Sequence, residues 1–288
     1  LVEGWTVNDS KSISEADQLA FEWLSEKHKE LVEEVVKNMA EYRLSEALIS
    51  IYSFVWTDFC SWYLEIVKPQ DGTISKQTKE NTVTLFKNIC TLLHPYMPFI
   101  TEELWHALHE DKVETDCIVS PFPKVESFDK DLIAKVEQAK DIITMVRDSR
   151  NKHGIRMREE IPLHIIETDR SKALFELSGW SDIVQKMAFL SSMDTTKEDK
   201  EGLVFISGTE KCILGITLQE DSSEMVEEII KELEYQKGFV ASVLKKLENE
   251  RFVSGAPAEV VEREKAKLAD GNERIKILEE QLKQFKNK

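Results

Sequence analysis

The sequence is short of the residues that announce catalysis, metal binding or membrane insertion. Its four cysteines, Cys60, Cys90, Cys117 and Cys212, stand far apart. Without a CxxC pair there is no zinc grip, and without a dense array there is no disulfide framework, so all four read as reduced residues used in buried packing. No apolar run approaches the roughly 20 residues that cross a bilayer, and no signal peptide opens the chain, so the reading is cytoplasmic with no membrane partner. No G-x-S-x-G elbow, P-loop or G-x-G-x-x-G is present, and the chain carries no catalytic signature of its own. Basic residues are in deficit as well: 38 Lys and Arg against 54 Asp and Glu leave a net charge of -16. That balance argues against a protein that coats DNA or other nucleic acid indiscriminately, because a phosphate backbone is held by surplus cations. It leaves room for a local basic site on an acidic body.

What is present is helical periodicity. The 288 residues, 41% hydrophobic and 32% charged, suit a soluble protein of two or three units. Residue 1 is Leu rather than Met, as expected of a piece cut from a longer polypeptide. From Glu15 to about Lys68 apolar residues recur at helical spacing and predict two amphipathic helices with a turn at Glu41 to Leu44. "KPQDGTIS" ends the second, and a third is expected from about Lys76 to Leu93. In "HPYMPFITEELWHAL", residues 94 to 108, Pro95 and Pro98 suit the first turn of a fourth helix, with Glu102 and Glu103 near the positive end of its dipole.

After "SPFPK" the pattern changes. Leu132 to about Arg150 is helical, "IPLHIIE" reads as a strand, helices are expected around 171 to 187, and "GLVFISGTEKCILGITL" reads as a hairpin turning at "SGTE". From Ser222 onward two heptad seams, Val226, Ile230, Leu233, Lys237, Val240, Leu244, Leu247 and Val261, Glu264, Leu268, Gly271, Ile275, Leu278, Leu282, flank "RFVSGAP". One antiparallel register satisfies both, pairing Leu247 with Val261, Leu244 with Glu264, Val240 with Leu268, Lys237 with Gly271, Leu233 with Ile275, Ile230 with Leu278, and Val226 with Leu282. The predicted fold is mainly α: a helical bundle over 1–118, a small α/β subdomain over 119–220 and a C-terminal antiparallel coiled-coil hairpin over 221–288.

Three constellations bear on function. His106 and His109 with Glu102 and Glu103 have spacings that could face metal ligands from one helix, but chance supplies such spacings and no metal is expected. "MVRDSRNKHGIRMR" concentrates Arg147, Arg150, Lys152, Arg156 and Arg158 at a helix end and a Gly154 loop, where phosphates could approach. The bland reading is a solvated helix C-terminus, whose dipole favours cations. "YSFVWTDFCSWYLEIVKP" puts six aromatic rings on one helix; most must be core, while an edge ring could stack on an unpaired base.

Taken together, "EYRLSEALISIYSFVWTDFCSWYLEIVKP" and "LLHPYMPFITEELWHAL" resemble the anticodon-binding domain of class I aminoacyl-tRNA synthetases of the valine, isoleucine and leucine subgroup. "LENERFVSGAPAEVVEREKAKLADGNERIKILEEQL" resembles the coiled-coil arm that closes the valyl branch of that family. The resemblance implies a part of an ATP- and magnesium-dependent ligase that binds tRNA specific for valine at its anticodon and elbow. Its catalytic HIGH and KMSKS signatures are absent from these residues, so this piece itself needs no cofactor and is expected to bind tRNA as a monomer without activating valine. On that resemblance Arg43, with Phe59 or Trp62, is expected to meet the anticodon. Pro95, Pro98, Phe99 and Trp105 are read as architecture. Lys245, Lys246, Arg251, Arg263, Lys265 and Lys267 near the tip of the arm are expected to meet phosphates. The alternative is a non-enzymatic scaffold whose coiled coil docks a protein partner.

Overall fold

A computed structural model describes residues 5–108, 116–156, 159–198, 200–216, 222–249 and 258–286. The chain divides into two compact units, Leu1–Ile143 with Leu174–Ala188, and Thr144–Ala173 with Phe189–Lys288. The division passes through two helices, between Ile143 and Thr144 and between Ala173 and Leu174.

In the first unit, helix α1 (Glu15–Ala40) starts where Ser14 accepts the Asp17 amide at 3.0 Å, with Glu15 and Asp17 in the first turn. It ends in a left-handed residue, Tyr42 at φ 58, with the Arg43 amide bonded to Asn38 O at 2.8 Å and the Tyr42 amide to Met39 O at 3.0 Å. This is a Schellman cap with tyrosine where glycine is usual. Helix α2 (Leu44–Ser53) runs on through a π-helical stretch, Phe54–Tyr63, into α3 (Leu64–Val67). The Ser61 hydroxyl donates to Trp56 O at 2.8 Å, five residues back. Buried positions along this rod are Ile51, Phe54, Phe59, Tyr63 and Ile66, so the step from Phe54 to Phe59 is one wide turn.

Helix α4 (Lys76–Leu93) begins at the Ser75 cap and matches its expected span. Helix α5 (Pro98–Ala107) has Pro98 in its first turn, but Pro95 lies in the preceding turn, outside the helix. Glu102 and Glu103 lie beyond the first turn, and Glu102 instead accepts the amides of Cys117 at 2.7 Å and Ile118 at 3.1 Å, opening a 3-10 turn at Cys117–Val119. Two short strands that the sequence did not announce, β1 (Thr6–Asn8) and β2 (Thr73–Ser75), pair in parallel. Trp23, Leu24, Phe59, Tyr63 and Leu92 fill the core, with Ile142 from α6 (Lys130–Lys152) and Trp180 from α8 (Trp180–Ala188). Trp180 Nε1 donates to Lys135 O at 2.8 Å, and Lys186 of α8 donates to Lys68 O at 2.8 Å, supplying a cation to the carbonyl end of α3.

The second unit holds a four-stranded sheet in the order β4-β3-β6-β5. Strand β3 (Ile161–Ile166) runs antiparallel to β6 (Glu210–Leu214), which forms the expected hairpin with β5 (Leu203–Ser207) through Gly208 at φ 61. Strand β4 (Leu190–Thr196) is parallel to β3 and was not foreseen. The crossover from β3 to β4 carries α7 (Asp169–Phe175) and α8.

The same unit contains the hairpin of α9 (Ser222–Leu247) and α10 (Ala258–Lys286). A Cβ on Gly271 would lie 2.6 Å from Val240 Cγ2, so Val240 sits over Gly271. The predicted partner of Gly271, Lys237, instead forms an ion pair with Glu279 at 2.7 Å. The register is therefore shifted by about one turn. Along α10 the expected seam holds, but along α9 it consists of Ile229, Leu233, Gln236, Val240, Val243 and Leu247, while Ile230, Lys237 and Leu244 face water. The predicted layer of Val226 with Leu282 lies outside the described side chains on the Val226 side.

Candidate nucleic-acid interface

The α1–α2 turn and the turn before α5 are tied together where Tyr96 Oη donates to Leu44 O at 3.1 Å. Around that tie, apolar side chains face water: Tyr42 is 90% and Phe99 91% exposed, with Leu44, Met97 and Ile100 about half exposed. Phe99 is thus not the architectural residue expected of it, whereas Trp105 is buried with Cys90 and Cys117. Arg43 is present at this surface, held to Glu41 at 2.7 Å with its side chain 57% exposed. A left-handed backbone costs a β-carbon residue about 1–2 kcal/mol, a strain that tends to persist where a side chain must be displayed.

Along α2 a second exposed pair follows. Tyr52 and Trp56 lie with ring centroids 6.4 Å apart and planes 3° from parallel, both rings open to water. Phe59, by contrast, is 1% exposed and stacks on Tyr63 at 5.6 Å and near Phe86 at 5.8 Å, so no base can reach it. Trp62 is half-buried with the Lys140 ammonium 5.4 Å over its ring. Lys140 is itself buried, 5.0 Å over Trp23 and paired with Asp58 at 3.1 Å and Glu137 at 2.8 Å. Trp62 is therefore engaged in packing on the face where Lys140 sits.

The basic cluster separates into structural and displayed members. Arg150 is fully buried and donates to the carbonyls of Arg156 at 3.1 Å, Glu159 at 2.6 Å and Phe189 at 2.7 Å. Burial pushes its pKa down. It holds the end of α6 and cannot meet a phosphate, which corrects its sequence assignment. The amides of Gly154 and Ile155 are bonded to Asn151 O and Arg150 O, closing the helix instead of cradling an anion. Lys152 and Arg156 are exposed, Arg147 is half-buried, and Arg158 lies outside the described residues.

On the hairpin, Lys245, Lys246, Arg263, Lys265 and Lys267 are exposed. Lys246 and Lys267 flank the buried Glu264 at 3.6 and 2.7 Å, and Lys265 pairs with Glu262 at 3.1 Å. Lys267 beside Glu264 holds its carboxyl below the usual range. The Lys265–Glu262 pair is exposed and worth at most about 1 kcal/mol, so its cation can be exchanged for a phosphate partner. Arg251 lies outside the described residues.

Of the metal spacing, Glu102 and His106 do come together, joined by Asp116; Glu103 does not take part, and His109 lies outside the described residues. Sequence reasoning missed Tyr42, Tyr52, Trp56 and Phe99. The available signal was aromatic residues at a helix cap and a proline turn, where packing demands none.

An aromatic-faced helical bundle, a small sheet and a charged helical hairpin follow one another along the chain. The chain belongs to the family described as the anticodon-binding domain of tRNA ligase, whose pattern matches residues 22–166. Residues 221–286 match the family described as the valyl tRNA synthetase tRNA binding arm. The chain is 38% identical to the valine–tRNA ligase of Parabacteroides distasonis over 98% of its own length and 35% identical to that of Bacteroides thetaiotaomicron over 99%. The valine–tRNA ligase of Syntrophotalea carbinolica is more distant, at 26% over 93%. The chain spans about a third of each relative, 32, 32 and 31% respectively.

Proposed function

We propose that this chain is the tRNA-holding region of a valine–tRNA ligase. The observation that carries this reading is the succession of an anticodon-binding pattern and a valyl-type arm along one chain. The displayed rings fit it chemically: Tyr42, Tyr52, Trp56 and Phe99 offer open faces on which unstacked anticodon bases can lie, and Arg43 beside them can donate to base edges or phosphate. The exposed cations of the arm meet the tRNA backbone at the elbow. ATP and magnesium serve the ligase reaction elsewhere in the whole protein, and the region works as a cytoplasmic monomer.

The test is binding of the purified chain to transcripts of valine tRNA and of a second tRNA with a different anticodon, across a salt series, with valine-dependent ATP–pyrophosphate exchange measured alongside. Tighter binding of the valine tRNA, affinity that falls steeply with salt, and no exchange are expected. Equal affinity for the two tRNAs, or valine activation by this chain alone, overturns the proposal.

A further inference from the structure

Near the end of α5 three side chains from two elements converge. Glu102 and His106 lie one turn apart on the helix, and Asp116 comes from the residue preceding the 3-10 turn. His106 Nε2 lies 3.2 Å from Glu102 Oε1 and 3.3 Å from Asp116 Oδ1, and one donor atom from each residue falls within 4.8 Å of the others. A ring nitrogen carries at most one proton, so Nε2 can point a hydrogen bond squarely at only one of its two carboxylate neighbours. A tetrahedral ion bonded to nitrogen and oxygen at about 2.0–2.2 Å sets its donors about 3.3–3.6 Å apart. The two separations here, 3.2 and 3.3 Å, lie within about 0.1 Å of the short end of that range.

Two local features favour a ligand set over a chance ion pair. The Glu102 carboxylate is oriented by two backbone amides, Cys117 N at 2.7 Å on Oε1 and Ile118 N at 3.1 Å on Oε2, and Oε1 keeps a second lone pair. Partners of this kind fix metal ligands in place before the ion arrives. Asp116 occupies the cap position of the 3-10 turn, yet its carboxylate makes no cap hydrogen bond and is turned to His106 instead. We propose that Glu102, His106 and Asp116 bind a divalent ion of the zinc class, with the fourth position open to water. One imidazole among two carboxylates suits zinc rather than magnesium, which prefers oxygen alone, and two carboxylates balance the charge of a dication. The ion would staple α5 to the 3-10 turn over the cluster of Cys90, Trp105 and Cys117.

The experiment is zinc titration of the intact chain by calorimetry, with cobalt as a spectroscopic stand-in, on the parent protein and on the His106→Gln and Asp116→Asn variants. Both side chains are at least half exposed, so either variant should fold; Glu102→Gln is avoided because Glu102 also holds two amides. One equivalent of zinc at micromolar affinity or better is expected, with the absorption of four-coordinate cobalt. Each variant should lose more than the about 10–100-fold that removal of an outer partner costs. Absence of zinc binding by the parent, or binding unchanged in both variants, overturns the proposal, the latter because it would assign the ion to other residues.

Discussion

Whether an aromatic ring of the long bundle helix packs or is displayed depends on the face it occupies: Phe54, Phe59 and Tyr63 are buried, whereas Tyr52 and Trp56 are open to water. Phe59→Ala removes a ring from the core and is expected to cost about 3–5 kcal/mol of stability, read by denaturant unfolding. Trp56→Ala removes a ring from the surface: unfolding should change by less than about 0.5 kcal/mol, while affinity for an anticodon stem-loop falls by about 1–3 kcal/mol. A drop in RNA affinity for Phe59→Ala in the still-folded protein, with none for Trp56→Ala, would reverse the assignment. The two arginines at the end of α6 separate in the same way. Arg150→Gln withdraws a charged donor from three carbonyls and should destabilise by about 3 kcal/mol without altering the salt dependence of binding. Arg156→Gln should leave stability alone and flatten log affinity against log salt by about one unit, the signature of one lost phosphate contact. His28 makes a third case. Buried against Phe54 with Nε2 unpartnered, it is pushed by desolvation from 6.5 down to about 4. The unfolded chain therefore takes up its proton first as pH falls. Stability is unaffected above pH 6.5 and declines from there to about pH 4, by about 3 kcal/mol in all, and His28→Gln should remove that slope from an unfolding series against pH.

For the elements, the close approach of Val240 to Gly271 makes a specific demand. Gly271→Ala adds a methyl into occupied space and should lower the melting temperature of the hairpin helices followed by circular dichroism, despite alanine's better helix propensity. Val240→Ala in the same chain should recover part of the loss; additive losses would show that the two residues do not meet. Helix spans in this chain were legible because long apolar repeats and caps such as Ser14 and Ser75 agree with one another. The phase of α9 was not. Ile229 with Ile230 and Val243 with Leu244 are adjacent apolar pairs, and Gln236 with Lys237 is an adjacent polar one, so two seams one residue apart score alike and only the partner helix decides. Strand β4 was hidden because Leu190–Thr196 is mostly polar and finds its place by pairing with β3. The π stretch was hidden because a five-residue step leaves no mark in a 3.6-residue pattern. Of the candidate site, Arg43 and the arm cations Lys245, Lys246, Arg263, Lys265 and Lys267 were legible as exposed charge. Phe59 was misread because a ring on an aromatic-rich helix declares its chemistry but not its side.

Across the whole molecule the charge is uneven. Residues 221–288 carry 13 Lys and Arg against 15 Asp and Glu, a net of -2 out of the chain's -16. The acidic remainder repels RNA at long range, so contact is favoured where the repulsion is weakest, on the arm and on neutral stacking surfaces. Those surfaces also give the protein an optical property. Of its six tryptophans, Trp23, Trp105 and Trp180 are buried, Trp5 and Trp62 are part-buried, and Trp56 alone is open to solvent beside Tyr52. Light absorbed by the enclosed indoles is emitted from an apolar surrounding, at shorter wavelength, while Trp56 emits from water at the red edge. A base laid on Trp56 should quench that red edge and leave the blue side nearly unchanged, so the chain carries its own fluorescent gauge of anticodon occupancy, and Trp56→Phe should silence it.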